Sequence, residues 1–170
     1  TGTANDVGQL AAETFRIVLS GATNASIADN SGTATITAND VPTLAVSAPT
    51  VVEDAGFAVF TVSLSNPSSV ATTVGLALTN ATATGGGVDY GGGGAANLQV
   101  STNGGATWTN AATATFAAGA TSVLVRTPIA NDTLVEGTET FTLTATRTAG
   151  TTANASASGL ASIVDNDAAP

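Results

Sequence analysis

The sequence contains no cysteine, no histidine and no lysine, and its only basic residues are Arg16, Arg126 and Arg147. Without Cys or His there is no zinc, copper or iron–sulfur site of the usual kind, and no Cys-His or Ser-His nucleophile can be assembled. The missing cysteines exclude disulfides, which suits an extracellular bacterial protein that does without them as well as a cytosolic one. Against 12 acidic residues the arginines leave a formal net charge of −9. Nucleic acid and anionic lipid are poor partners for such a chain, because both are bound by clustered Lys and Arg. Long apolar runs are missing too. No stretch approaches the length of about 18 residues that a membrane span needs, so no membrane insertion is expected. The opening segment does not form a charged-then-apolar leader, and any export signal would lie outside this sequence. The composition leaves open the chemistry of carboxylates and of hard, oxygen-seeking cations such as Ca²⁺.

What is present is a repeat. Asn5, Asp6, Glu13, Thr14 and Phe15 recur as Asn131, Asp132, Glu139, Thr140 and Phe141, a shift of 126 residues that preserves the step from Asp to Glu. The run from Ser31 through Gly32 and Ala34 to Ile36 returns from Ser158 through Gly159 and Ala161 to Ile163 at a shift of 127, and the copies end in Asn39-Asp40 and Asn166-Asp167. Self-similarity with a domain-sized period marks a tandem array. The expected division is a partial repeat over 1–40, contributing only a last pair of strands near 13–20 and 32–38, and a complete repeat over 41–170.

The secondary-structure signal is almost wholly β. Short runs alternating Val, Ile, Leu, Phe and Thr are separated by Gly, Asn, Asp and Pro, and no helical period persists. In the complete repeat the pattern predicts seven strands near 43–48, 57–65, 70–79, 112–117, 121–130, 138–147 and 158–164, a number that suits a sandwich. Alternation assigns the core to Phe60, Val62, Leu64, Val74, Leu76, Leu78, Val123, Val125, Phe141, Leu143, Ala161 and Ile163. The long interruption at 80–111 carries two glycine runs and then an expected extra hairpin around Leu98–Ser101, packed by Trp108.

Topology collects the carboxylates. If successive strands alternate in direction, the first-to-second, third-to-fourth and fifth-to-sixth links emerge at one pole together with the exit of the seventh strand. Glu53, Asp54, Asp89, Asp132, Glu136, Glu139, Asp165 and Asp167 then share that pole, while the opposite links near 66–69, 118–120 and 148–157 contain no acid. Any one of these acids alone could be a solvated turn residue. Converging like charges, however, repel by on the order of several kcal/mol unless something neutralises them. A bound divalent cation is the economical answer, and Ca²⁺ accepts irregular oxygen cages more readily than Mg²⁺.

Glu53 after the first strand, Asp89-Tyr90 after the third, Asn131-Asp132 with Glu136-Gly137-Thr138-Glu139 leading into Phe141, and the terminal Asp165-Asn166-Asp167 together resemble the Calx-beta domain. The resemblance covers 41–167 and, in its last third, 1–40. It implies an all-β, immunoglobulin-like antiparallel β-sandwich that binds Ca²⁺. It also implies a ligand set of Glu53, Asp89, Asp132, Glu136, Glu139, Asp165 and Asp167, with the Leu134 carbonyl as a further candidate. Amides at Asn131 and Asn166, often acidic in regulatory members, favour one or two structural ions over a larger sensor cluster. In the partial repeat Leu10 and Ala38 replace two of the acids, leaving Asp6, Glu13 and Asp40.

The expected function is therefore a non-enzymatic extracellular structural module, on a bacterial cell surface or secreted, whose Ca²⁺ cluster stiffens a tandem array. It would serve either as an adhesin stalk or as a fibre self-assembling by strand donation, with neighbouring repeats or identical subunits as partners. A carbohydrate- or ice-binding module is the rival, with Thr-rich strands facing polysaccharide or ice. A glycosidase using Glu136 and Glu139 would need a groove between its carboxylates, not a domain end.

Overall fold

The computed structural model describes residues 13–36, 40–91 and 97–169; Asp6, Leu10, Ala38, Asn39 and Gly92–Gly94, which figure in the sequence reading, lie outside them. The strands are β1 (Glu13–Val18), β2 (Ser31–Ile36), β3 (Leu44–Val46), β4 (Thr50–Val52), β5 (Phe57–Leu64), β6 (Thr72–Asn80), β7 (Gln99–Ser101), β8 (Thr109–Asn110), β9 (Thr113–Phe116), β10 (Ser122–Pro128), β11 (Glu139–Ala149) and β12 (Ser156–Val164). Two five-stranded sheets form, ordered β3-β5-β10-β7-β8 and β4-β12-β11-β6-β9, and β1 and β2 make a separate two-stranded sheet. The fold is an all-β sandwich of immunoglobulin type.

Strict alternation of large apolar and polar side chains makes one face of each strand apolar, and the two apolar faces cover each other. Phe60, Val62, Leu64, Val74, Leu76, Val123, Val125, Phe141, Leu143, Ala161 and Ile163 are all buried, and Leu78 packs partly buried against them. Phe141 lies at the centre, edge-on to Phe60 at 5.8 Å between ring centroids and stacked on Tyr90 at 4.1 Å. Burying each such ring stabilises the fold by about 2–3 kcal/mol. The expected hairpin exists as the antiparallel pair β7–β8, with Leu98 buried beneath it.

Strand directions bear out the assumption that gathered the acids. β10 runs antiparallel to β5, and β11 antiparallel to both β6 and β12. The β4–β5, β6–β7 and β10–β11 links therefore leave at the end where β12 exits. At the far end the chain enters through Asp40, whose carbonyl accepts the Asn66 amide at 2.8 Å, and Pro42, whose carbonyl accepts the Ala153 N–H at 2.9 Å.

The expected first strand divides in two. β3 pairs with β5 in one sheet, whereas β4 pairs in parallel with β12 in the other. The chain changes sheets at 47–49, and it does so across Gly159. A Cβ there would collide with the Ser47 carbonyl oxygen and stand 2.9 Å from its carbon. Only glycine lets the two backbones approach so closely. β12 also begins earlier than expected, at Ser156, and β11 continues to Ala149 past an irregularity at Arg147.

Candidate metal centre

Four loops build the acidic pole. Glu53 opens a single 3-10 turn, Glu53–Ala55, directly after β4. Its side chain turns inward and is buried, unusual for a carboxylate, and its Oε1 accepts the Asp132 N–H at 3.1 Å. Asp89 is set by the glycine run before it. Gly86 and Gly87 adopt φ of 83° and 92°, the left-handed region that glycine enters without strain. The tight turn that results is closed by Gly87 N–H to Tyr90 C=O at 2.8 Å and Asp89 N–H to Thr84 C=O at 3.0 Å. Thr84 N–H also donates to Asp89 Oδ2 at 2.6 Å.

Tyr90 anchors this turn to the core, its hydroxyl donating to Asn80 Oδ1, which also accepts the Gly85 N–H at 3.1 Å. The same segment bridges to the β10–β11 link through Tyr90 and Ile129. Residues 80–90 thus convert a rigid aromatic contact into a fixed position for Asp89. The sequence reading missed Asn80 and Thr84 in this role; the paired glycines were the available signal.

Glu139 begins β11, and Asp165 and Asp167 follow β12. Asp165 Oδ2 accepts the Glu136 N–H at 2.8 Å and Oδ1 the Asp167 N–H at 2.9 Å. These backbone donors, Asp167 first and then Glu136, hold the Asp165 carboxyl below the usual carboxylate range. Six of the seven acids expected as ligands fall into two triads. In each of them, Glu53, Asp165 and Asp167 in one and Asp89, Glu136 and Glu139 in the other, carboxylate oxygens lie within 4.8 Å of one another. A cavity lined by Glu53, Asp89, Glu136, Glu139 and Asp165 joins the two.

Asp132 stands outside both triads. Its Oδ1 accepts the Leu134 N–H at 2.7 Å, a local turn, and its backbone steadies Glu53. Asp54, which shared the pole by topology, is exposed and belongs to neither triad.

The electrostatics of the pole are strained. Burial, then a hydrogen bond and charge repulsion from Asp89, push the Glu139 carboxyl up to about 7. Glu136 is raised as well, by desolvation and then by Asp89, Asp132, Glu53 and Asp165. Asp167 Oδ2 is buried without a hydrogen-bond partner. A buried carboxylate oxygen with no donor is costly. Two of the arginines are engaged elsewhere. Arg126 is stacked between Phe57 at 4.0 Å and Trp108 at 4.1 Å, and Arg147 donates to the Thr152 carbonyl at 3.1 Å. Among the described residues no helix is long and apolar enough to cross a membrane.

The family model of the Calx-beta domain matches the chain in two overlapping stretches, 37–109 and 100–167. Among solved structures, calcium binding domain CBD12 of CALX1.1 aligns with a TM-score of 0.54 at 17% identity, covering 73% of this chain and 44% of that one. The apo-form Calx CBD1 domain aligns at 0.52 and 18%, covering 74% and 99%, and CBD12 from CALX1.2 at 0.52 and 18%, covering 71% and 42%. The chain thus spans under half the length of the two CBD12 structures, and at these identities the likeness concerns the fold. No curated protein matches the sequence significantly. Two family-model matches that together run the length of both five-stranded sheets place the chain in the Calx-beta domain family.

Proposed function

We propose that the chain is a Ca²⁺-binding structural module of an extracellular tandem array, an adhesin stalk on a bacterial surface or in a secreted protein. One ion would be held by Glu53, Asp165 and Asp167 and a second by Asp89, Glu136 and Glu139, with Asp132 adding charge beside Glu136 and holding Glu53 through its N–H. The carrying observation is the partnerless buried Oδ2 of Asp167 within a carboxylate triad. Among the described residues no donor reaches it, so a cation is the group that would satisfy it, and an all-oxygen set without Cys or His suits Ca²⁺.

The ion would do two things here. It would cancel repulsion that the folded state alone concentrates, and it would stiffen the exit of β12, where a following repeat would begin. The position equivalent to Asp167 in the partial repeat is Asp40, and its carbonyl is tied to Asn66 at the acid-free pole of the sandwich that follows. With the chain entering the sandwich at one pole and leaving it at the carboxylate pole, successive modules would follow one another head to tail.

The polysaccharide- or ice-binding reading is weakened by Arg126, whose guanidinium covers one face each of Phe57 and Trp108, rings that sugar would otherwise stack on. A fibre formed by strand donation would need an acceptor sandwich lacking its last two strands. The stalk reading is tested by melting the chain in Ca²⁺ and in chelator. A ligand bound only by the folded state raises Tm, and a gain above about 10 °C is expected at saturating Ca²⁺. Coincident melts would remove the calcium reading.

A further inference from the structure

The β1–β2 hairpin has the register of β11–β12. Glu13 pairs with Ile36, Phe15 with Ala34 and Ile17 with Gly32, just as Glu139 pairs with Ile163, Phe141 with Ala161 and Leu143 with Gly159. The two hairpins differ in what covers them. β11–β12 lies between β6 and β4, and Phe141 and Leu143 are 0% exposed. β1 and β2 pair only with each other among the described strands, and Phe15 and Ile17 are 47% and 59% exposed, with Val18 and Leu19 also open to solvent. A two-stranded hairpin is at best marginally stable unless its apolar face is covered.

The glycines say what covers it. Gly159 is a glycine because the backbone at Ser47 crosses directly over it as the chain passes from β3 to β4. Gly32 holds the same place in the β1–β2 register, yet among the described residues nothing lies within 4 Å of where its Cβ would be. In the interior of a strand glycine weakens the structure and normally marks a close backbone approach. Gly32 is therefore a slot that no segment among the described residues crosses.

We infer that β1–β2 is the closing hairpin of another Calx-beta sandwich. Its occupant is the half-repeat equivalent to β3 through β10, lacking its own last two strands. That half would cross Gly32 with its 47–49 equivalent and bury Phe15, Ile17 and Leu19 under its 57–64 and 122–128 equivalents. A second intact copy is not the occupant, since its matching position is already filled by β11–β12 in the same register. The inference does not depend on calcium, because it uses packing alone.

The test adds the missing half to the full chain. Since Thr127 corresponds to Thr1, residues 43–126 are duplicated directly ahead of Thr1, and amide exchange is followed in 13–18 and 31–36. In the chain as it stands those amides should exchange fast, and Gly32→Val should leave the melting of the 44–164 sandwich unchanged. In the extended protein exchange should slow by about a hundredfold or more as the hairpin joins a cooperative unit. Gly32→Val should then restore fast exchange.

A parallel protein carries 127–167 in place of 1–40 behind the same duplicated segment and reports whether that segment can fold at all. If this control folds while 13–36 stays unprotected in the extended protein, the assignment is overturned. It is equally overturned if protection appears but survives Gly32→Val, or if the chain alone oligomerises and Gly32→Val dissolves the oligomer. The last result would make the occupant a second copy. Failure of the control itself would also count against the inference, because it would show that 43–126 does not form a half-sandwich able to receive any closing hairpin.

Discussion

Asp167→Asn should change sign with calcium. The substitution is nearly isosteric, keeps the Asp167 N–H bond to Asp165 and removes one charge from a triad whose carboxylate oxygens lie within 4.8 Å of one another. For the Glu53–Asp167 pair, Coulomb's law at that separation and an effective dielectric of 20 gives about 3 kcal/mol of repulsion. Screening by ions and nearby solvent lowers this to about 1 kcal/mol. In chelator the variant should therefore melt a few degrees above the wild type, on the order of 1 kcal/mol more stable. In Ca²⁺ the order should reverse, because a lost ligand charge lowers affinity by about tenfold or more, which is about 1.4 kcal/mol of linked stability at saturation. Thermal melts of both proteins under both conditions measure all four values. A shift of the same sign in chelator and in calcium would refute the reasoning, since it would mean that Asp167 acts through packing and not through charge.

Glu136→Gln should reduce Ca²⁺ affinity by about tenfold with the metal-free fold unchanged, whereas Asp29→Asn, whose side chain accepts the Ser31 N–H and belongs to neither triad, should leave the isotherm as it is. Glu139 makes metal-free stability depend on pH. Its folded value of about 7 lies above the ordinary 4.5, so the stability it contributes is complete below the ordinary value and lost as pH rises through about 7. Melts in chelator should fall between about pH 5 and pH 8, and Ca²⁺ affinity measured by calorimetry should rise across the same window as the carboxylate loses its proton. Gly159→Ala should destabilise the protein by about 3 kcal/mol in denaturant titration, because its methyl would meet the Ser47 carbonyl and force the crossing backbone to shift.

The sandwich was legible because its signals are local. Phe60, Val62 and Leu64 alternate within one strand, and the parity of strand directions then placed Glu53, Asp89, Glu136, Glu139, Asp165 and Asp167 at one end. What the sequence did not display are contacts between distant segments. The break between β3 and β4 depends on the missing Cβ of Gly159, far along the chain from Ser47. The early start of β12 runs through Ser156 and Ala157, where small side chains give no apolar period. The partition of the acids into two triads escaped for the same reason, since loop shape decides it. The resemblance implies Asp132 among the ligands; it stands outside both triads, and its Oδ1 accepts the Leu134 N–H in a local turn. An Asp side chain that accepts the backbone N–H two residues on closes such a turn whatever residue follows it, so the sequence alone does not mark it.

The central claim is that the two carboxylate triads hold cations, and a crystal of the chain grown with Tb³⁺ in place of Ca²⁺ tests it most directly through anomalous scattering. The account requires one peak among Glu53, Asp165 and Asp167 and a second among Asp89, Glu136 and Glu139. Well-diffracting crystals in saturating Tb³⁺ with no peak at this pole, or with ions only at other surface acids such as Asp29 or Asp54, would contradict it.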